Sequence, residues 1–149
     1  MHPTPAPRLS RRFVVPSVLL ALCAGLLLTG CPTTSDMRSR DDIATLKTTH
    51  LAFIDDFTEG PGKTWDDQKL ATRTAAIEME FTNAEQYETT KKKDARRAKA
   101  ISILRSQFKR HAGMLERRKA FFRAKFAANL KDEVTQNYDL ALRGEDLRQ

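Results

Sequence analysis

The run Asp94–Arg143, DARRAKAISILRSQFKRHAGMLERRKAFFRAKFAANLKDEVTQNYDLALR, decides the fold, because it can form one helix or two. Ile101, Leu104, Phe108 and Leu115 recur at steps that put them on one side of a helix. Phe122, Phe126, Leu130, Val134 and Tyr138 continue nearly in phase, and Gly113 is the only breaker before Gly144. Unbroken, the run would be about 50 residues and roughly 75 Å long. Two upstream helices of about 35 Å each could not cover it. The pattern therefore predicts a turn between His111 and Ala120. It places a third helix over about Asp94–His111 and a fourth over about Phe121–Arg143, with Gly144 as its cap. Three helices with one long C-terminal helix is the alternative. The strict four-residue spacing from Phe122 to Tyr138 reads as an oblique packing ridge.

Upstream, Thr64 is the expected N-cap of a second helix, with Asp66 and Asp67 behind it and a buried stripe of Leu70, Thr74, Ile77, Phe81 and Ala84. Glu88–Lys93 holds no apolar residue, and the stripe beyond it is rotated by well over 90° from the one before it. A break near Thr89–Lys93 is therefore expected. A first helix is expected over about Ser39–Phe57, with Ser39 as N-cap, Asp41 and Asp42 in its first turn, and Ile43, Leu46, His50, Phe53, Ile54 and Phe57 facing the core. Gly60-Pro61-Gly62 ends it. No alternating apolar pattern and no internal repeat is present, so the expected fold is all-α: a small bundle of four helices over residues 39–144, with 145–149 as a tail.

Charge is distributed in blocks. Asp36–Glu88 carries 6 Lys/Arg against 12 Asp/Glu, Lys91–Lys131 carries 15 against 2, and Asp132–Gln149 carries 2 against 5. A basic helix between acidic neighbours can pair with them and leave a surplus for an anionic partner. Arg96, Lys99 and Arg110 lie opposite the core stripe of the third helix, with Arg117, Arg118 and Lys119 after them. These six residues are the expected anionic-partner surface.

Motifs for chemistry are sparse. Gly62-Lys63-Thr64 has the end of a phosphate-binding loop, but that motif's first glycine would fall at Phe57 and a helix precedes it where a strand is needed. His50 sits in the middle of an apolar stripe, where a hydrogen-bonded core histidine is the ordinary role. The other histidine of the helical region, His111, is expected at a helix end, and no E-x-x-H, H-E-x-x-H, C-x-x-C-H or G-x-S-x-G pattern occurs. No cofactor, metal site or catalytic set is expected. The rival expectation is a hydrolase or metal-binding protein that uses His50 with Asp55 and Asp56.

The N-terminal segment determines what surrounds this domain. Arg8, Arg11 and Arg12 precede an apolar run from Phe13 to Leu28 that contains Pro16 and Gly25, and the run ends in Leu28-Thr29-Gly30-Cys31. At 16 residues the run is shorter than the roughly 20 that a spanning helix needs. The segment resembles the lipobox signal of bacterial lipoproteins, with Leu three residues before the cysteine and small residues between. That resemblance implies diacylglycerol on the Cys31 sulfur, cleavage between Gly30 and Cys31, and acylation of the new amino terminus. Residues 1–30 would be removed, 31–38 would serve as a tether, and the mature chain of 119 residues would carry a net charge of +4. Cys23 would leave with the signal and Cys31 would carry lipid, so no intrachain disulfide is expected.

The resemblance implies a periplasm-facing protein held by lipid to the inner or outer membrane. The expectation is a non-enzymatic binding or assembly module. Its anionic partner would be a lipid headgroup, a cell-wall polymer or an acidic protein, and not nucleic acid.

Overall fold

Most residues of each apolar stripe lie on one side of a helix in the computed structural model, which describes residues 37–147. The lipobox residues Leu28–Cys31 and the apolar run before them lie outside the described residues. Helix α1 is Met37–Asp56 and α2 is Asp67–Gln86, continued by a π turn over Tyr87–Lys92; α3 is Ala95–Arg118 and α4 is Ala124–Asp146. Counting the π turn with α2, this is an all-α bundle of four helices, with no strand among the described residues.

Side-chain pairs fix the helix directions. Arg40 meets Asp146, Lys47 meets Asp139 and Asp55 meets Lys131, so α4 runs antiparallel to α1. Glu85 and Glu78 meet Arg105, and Asp67 meets Lys119, so α3 runs antiparallel to α2. α1 packs chiefly on α4 and α2 on α3. The core between them is aromatic-rich. The Phe53 ring lies 5.0 Å from both Phe57 and Phe108, and Phe81 closes on Phe108 from α2. All six positions of the first stripe are buried, Phe57 just past the end of α1; Phe126 of α4 is only half-buried.

Helix ends depart from the expected positions for identifiable reasons. α1 begins at Met37, so Ser39 lies within its first turn, fully buried, and donates its hydroxyl to Glu88 in place of capping. Asp41 and Asp42 consequently fall beyond the first turn, which holds no acidic residue. Asp66, not Thr64, caps α2 by accepting the Lys69 N–H at 3.0 Å.

The break after α2 falls in the expected place but has its own geometry. A π turn holds more residues than an α turn, so it changes the helical phase of the residues downstream. Glu88, four residues after the buried Ala84 and still in phase with the stripe of α2, is fully buried at the start of this turn. Lys93 then takes a left-handed conformation at φ 53°, and Asp94 caps α3 by accepting from the N–H groups of Arg96 and Arg97, each at 3.0 Å.

The turn between α3 and α4 excludes the long C-terminal helix. α3 continues past His111 to Arg118 and stops at Lys119, which adopts φ 49° and donates its N–H to the Leu115 carbonyl at 2.8 Å. Phe122 then enters the core from the connection. Its N–H donates to Phe57 O, and its carbonyl accepts from the Glu59 N–H, each at 2.8 Å. Arg123 offers α4 no side-chain cap, and Glu59 supplies one from the other connection by accepting the Ala124 N–H at 3.0 Å. Gly144 lies inside α4, which ends at Asp146. The expected cap there is replaced by one further turn that buries Glu145. No helix among the described residues is long and apolar enough to cross a membrane.

Candidate functional site

Three polar side chains from three helices meet in the middle of the core. His50 comes from α1, His111 from α3 and Tyr138 from α4, and each is 0% exposed. His50 Nε2 lies 3.0 Å from His111 Nδ1, and His50 Nδ1 lies 3.4 Å from the Tyr138 hydroxyl. Phe108 presents a ring to His50 in a T-shaped contact at 5.3 Å. The stripe that exposes His50 in the sequence is thus the core face, and His111 reaches it because α3 continues past the expected end.

The order of donors along this chain is set by its ends. His111 Nε2 has no hydrogen-bond partner, and the Glu133 carboxylate lies 3.9 Å from it. If Tyr138 donates to His50, His50 Nε2–H donates to His111 Nδ1 and His111 Nε2–H faces that carboxylate. The opposite order would aim a lone pair at Glu133 and leave the tyrosine proton without use. Burial keeps both rings neutral: it pulls His50 down to about 3, helped by the charges of His111 and Arg110. His111 is held at about 4 by burial, with Glu133 opposing and Arg110 adding to the shift. Burial also pushes the Tyr138 hydroxyl up, helped by the negative Glu80. With no ring atom at the surface, the chain can orient a proton but offers no base to a substrate in solution.

Asp55 and Asp56 do not join it. Asp55 pairs with Lys131 at 2.9 Å, and Asp56 with Arg73 at 3.0 Å and Lys69 at 3.9 Å. The structure therefore does not assemble His50 with these carboxylates. No group of three or more His, Cys, Asp or Glu among the described residues is placed to hold a metal.

A second buried polar cluster joins all four helices at the end where α1 begins. Arg97 Nη2 contacts Glu145 Oε2 at 2.6 Å with both side chains 7% exposed, and Ser39 donates to Glu88 beside them. Burial raises the Glu88 carboxyl, partly offset by the Ser39 bond and the Arg97 charge. For Arg97 burial works against the charge, but the bond to Glu145 and the surrounding carboxylates hold it above its ordinary value. Spacing alone places Glu88 four residues beyond Ala84 and Arg97 four before Ile101, on the buried faces of their helices, but a charged residue at the end of an apolar stripe reads as the point where the stripe stops.

The six expected basic residues divide into separate groups. Arg96 and Lys99 are exposed near the start of α3, while Arg117, Arg118 and Lys119 lie at its far end, about 30 Å away at 1.5 Å per residue. Arg110, between them, is paired with Glu133. Lys119 lies 3.9 Å from Asp67, and the Arg118 guanidinium 5.7 Å from the Phe126 ring. Arg96, Lys99 and Arg117 face solvent with no ion pair among the described residues. A continuous basic face is thus replaced by two patches.

The patch at the α1 end adjoins a cleft that spacing alone could not reveal. The cleft lies between the first turn of α1 and the π turn, has a volume of about 630 Å³, and is lined by Arg38, Tyr87, Lys91 and Lys92 with Asn83 and Thr90. The Arg38 guanidinium stacks 4.0 Å above the Tyr87 ring, and Lys92 Nζ lies 5.9 Å from the same ring. No carboxylate lines it. A separate groove of about 500 Å³ between α2 and α3 is mostly apolar, with Leu70, Ala71 and Ala112 in its wall. No protein-family model, curated protein or solved structure matches the chain.

Proposed function

We propose that this chain is a lipid-anchored bacterial envelope protein whose helical bundle acts as a non-enzymatic binding or assembly module at the membrane surface. The observation that carries this is Leu28-Thr29-Gly30-Cys31 directly behind a basic front and a 16-residue apolar run. Two features of the bundle support it. α1 begins at Met37, only six residues beyond Cys31, so the domain is suited to work close to a bilayer. The interior chain His50–His111–Tyr138 is sealed within the core, whereas Arg38, Lys91 and Lys92 line a surface cleft.

The test is Cys31→Ser in the full chain, expressed in a bacterium that processes lipoproteins. One acyl chain binds a membrane only marginally and two or more hold it firmly, so the wild type should stay with membranes through high salt. Cys31→Ser should keep its signal, migrate as the heavier precursor and incorporate no labelled palmitate. Cleavage of Cys31→Ser to the wild-type mature length, or a wild type without label, contradicts the proposal.

A further inference from the structure

We propose that the cleft between Arg38 and the π turn docks on the phosphate of an anionic phospholipid headgroup, in the same membrane that holds the lipid anchor. This rests on the proposed lipid anchoring and adds to it a face, an orientation and a ligand. Charge is the first argument. Arg38, Lys91 and Lys92 line the cleft, Lys93 follows them, and the side-chain amide of Asn83 and the hydroxyl of Thr90 add polar groups; no carboxylate lines the cleft itself, and Asp42, 3.8 Å from Arg38, stands outside it. A guanidinium held by an aromatic ring, with two ammonium groups beside it, suits an oxyanion that carries its charge on several oxygens.

Reach is the second argument. Six residues from Cys31 to Met37 span at most about 20 Å when fully extended. Arg38 follows Met37 directly, so an anchored Cys31 holds the cleft permanently near headgroups. Tethering of this kind makes even a weak site count, because the second binding event becomes intramolecular. The other cationic patch, at Arg117–Lys119, lies about 30 Å further along α3 and is outside that reach.

The apolar side chains at the same end are the third argument. Met37, at the start of α1, is 75% exposed, and Leu147, just after α4, is 89% exposed. Exposed apolar groups beside basic ones, with a tyrosine among them, are the composition that settles at the boundary between headgroups and acyl chains. A cell-wall polymer would use the charge but would leave Met37 and Leu147 in water.

The test uses the mature lipidated protein, reconstituted into vesicles of phosphatidylcholine alone or with added phosphatidylglycerol. Amide hydrogen exchange is read at Tyr87–Lys93 and in the first turn of α1. Exchange there should slow with phosphatidylglycerol and recover at high salt, while the core segment Ile77–Phe81 stays unchanged in both. Each cation at an anionic surface contributes about five-fold to association, so K91E/K92E should reduce the docking equilibrium constant by about 25-fold or more.

The same sample's resistance to a salt wash and its palmitate content report the anchor separately. Loss of the anchor alone refutes the lipoprotein proposal. Equal exchange in both vesicle types on a firmly anchored protein refutes docking, as does protection that survives K91E/K92E. Equal protection on neutral vesicles given inorganic phosphate would assign the cleft to a soluble anion and overturn the headgroup assignment.

Discussion

His50 shows how far a single residue can be read. Its place in the stripe Ile43, Leu46, His50, Phe53 marks it as interior. Its partner was hidden, because nothing in the local sequence says that α3 runs through His111 to Arg118. The pair has a consequence for stability. Unfolded, each imidazole takes up a proton near 6.5; folded, His50 resists to about 3 and His111 to about 4. The unfolded chain therefore binds more protons as pH falls below 6.5, and the stability present above that pH is progressively lost. The two histidines should together cost about 3 to 6 kcal/mol between pH 7 and pH 4. Glu88 works in the opposite sense, because its raised carboxyl holds a proton more tightly when folded. Urea unfolding at stepped pH should show a net fall, and proton NMR should find neither core imidazole titrating near neutrality. Ordinary titration of either ring near 6.5 would contradict its burial as a neutral group.

At the scale of elements, the four apolar stripes were legible because periodicity reports burial directly. The ends were less so. Gly113, Ser39 and Gly144 are the residue types that usually punctuate helices, yet all three lie inside helices here. The real stops are Lys93 and Lys119, two lysines in the left-handed region. Tertiary bonds accompany the second of these, as Phe122 inserts and Glu59 caps α4. A left-handed lysine costs about 1 to 2 kcal/mol relative to its ordinary conformations, and glycine avoids that cost. Lys119→Gly should therefore stabilise the protein by about 0.5 to 1 kcal/mol in chemical unfolding. In an uninterrupted helix the same change would destabilise by about 1 kcal/mol. The sign of the change tests the break.

For the whole molecule, the charge blocks were legible and their division was not. Much of the basic run is consumed internally: Arg97 on Glu145, Arg105 on Glu78 and Glu85, Arg110 on Glu133. Part of the remaining cationic surface lies at the far end of α3, and the rest lies beside the π turn, because the fold brings the start of α1, the end of α2 and the start of α3 to one end. That end is the one that continues toward Cys31. Lipid anchoring is the claim on which the orientation, the reach and the headgroup cleft all depend. Its most direct test is the intact mass of the wild-type protein extracted from bacterial membranes. The account predicts a chain of 119 residues beginning at Cys31, heavier than its sequence by a diacylglyceryl group and an amide-linked acyl chain. A chain that retains its first 30 residues, is cut elsewhere, or carries no acyl mass would contradict it.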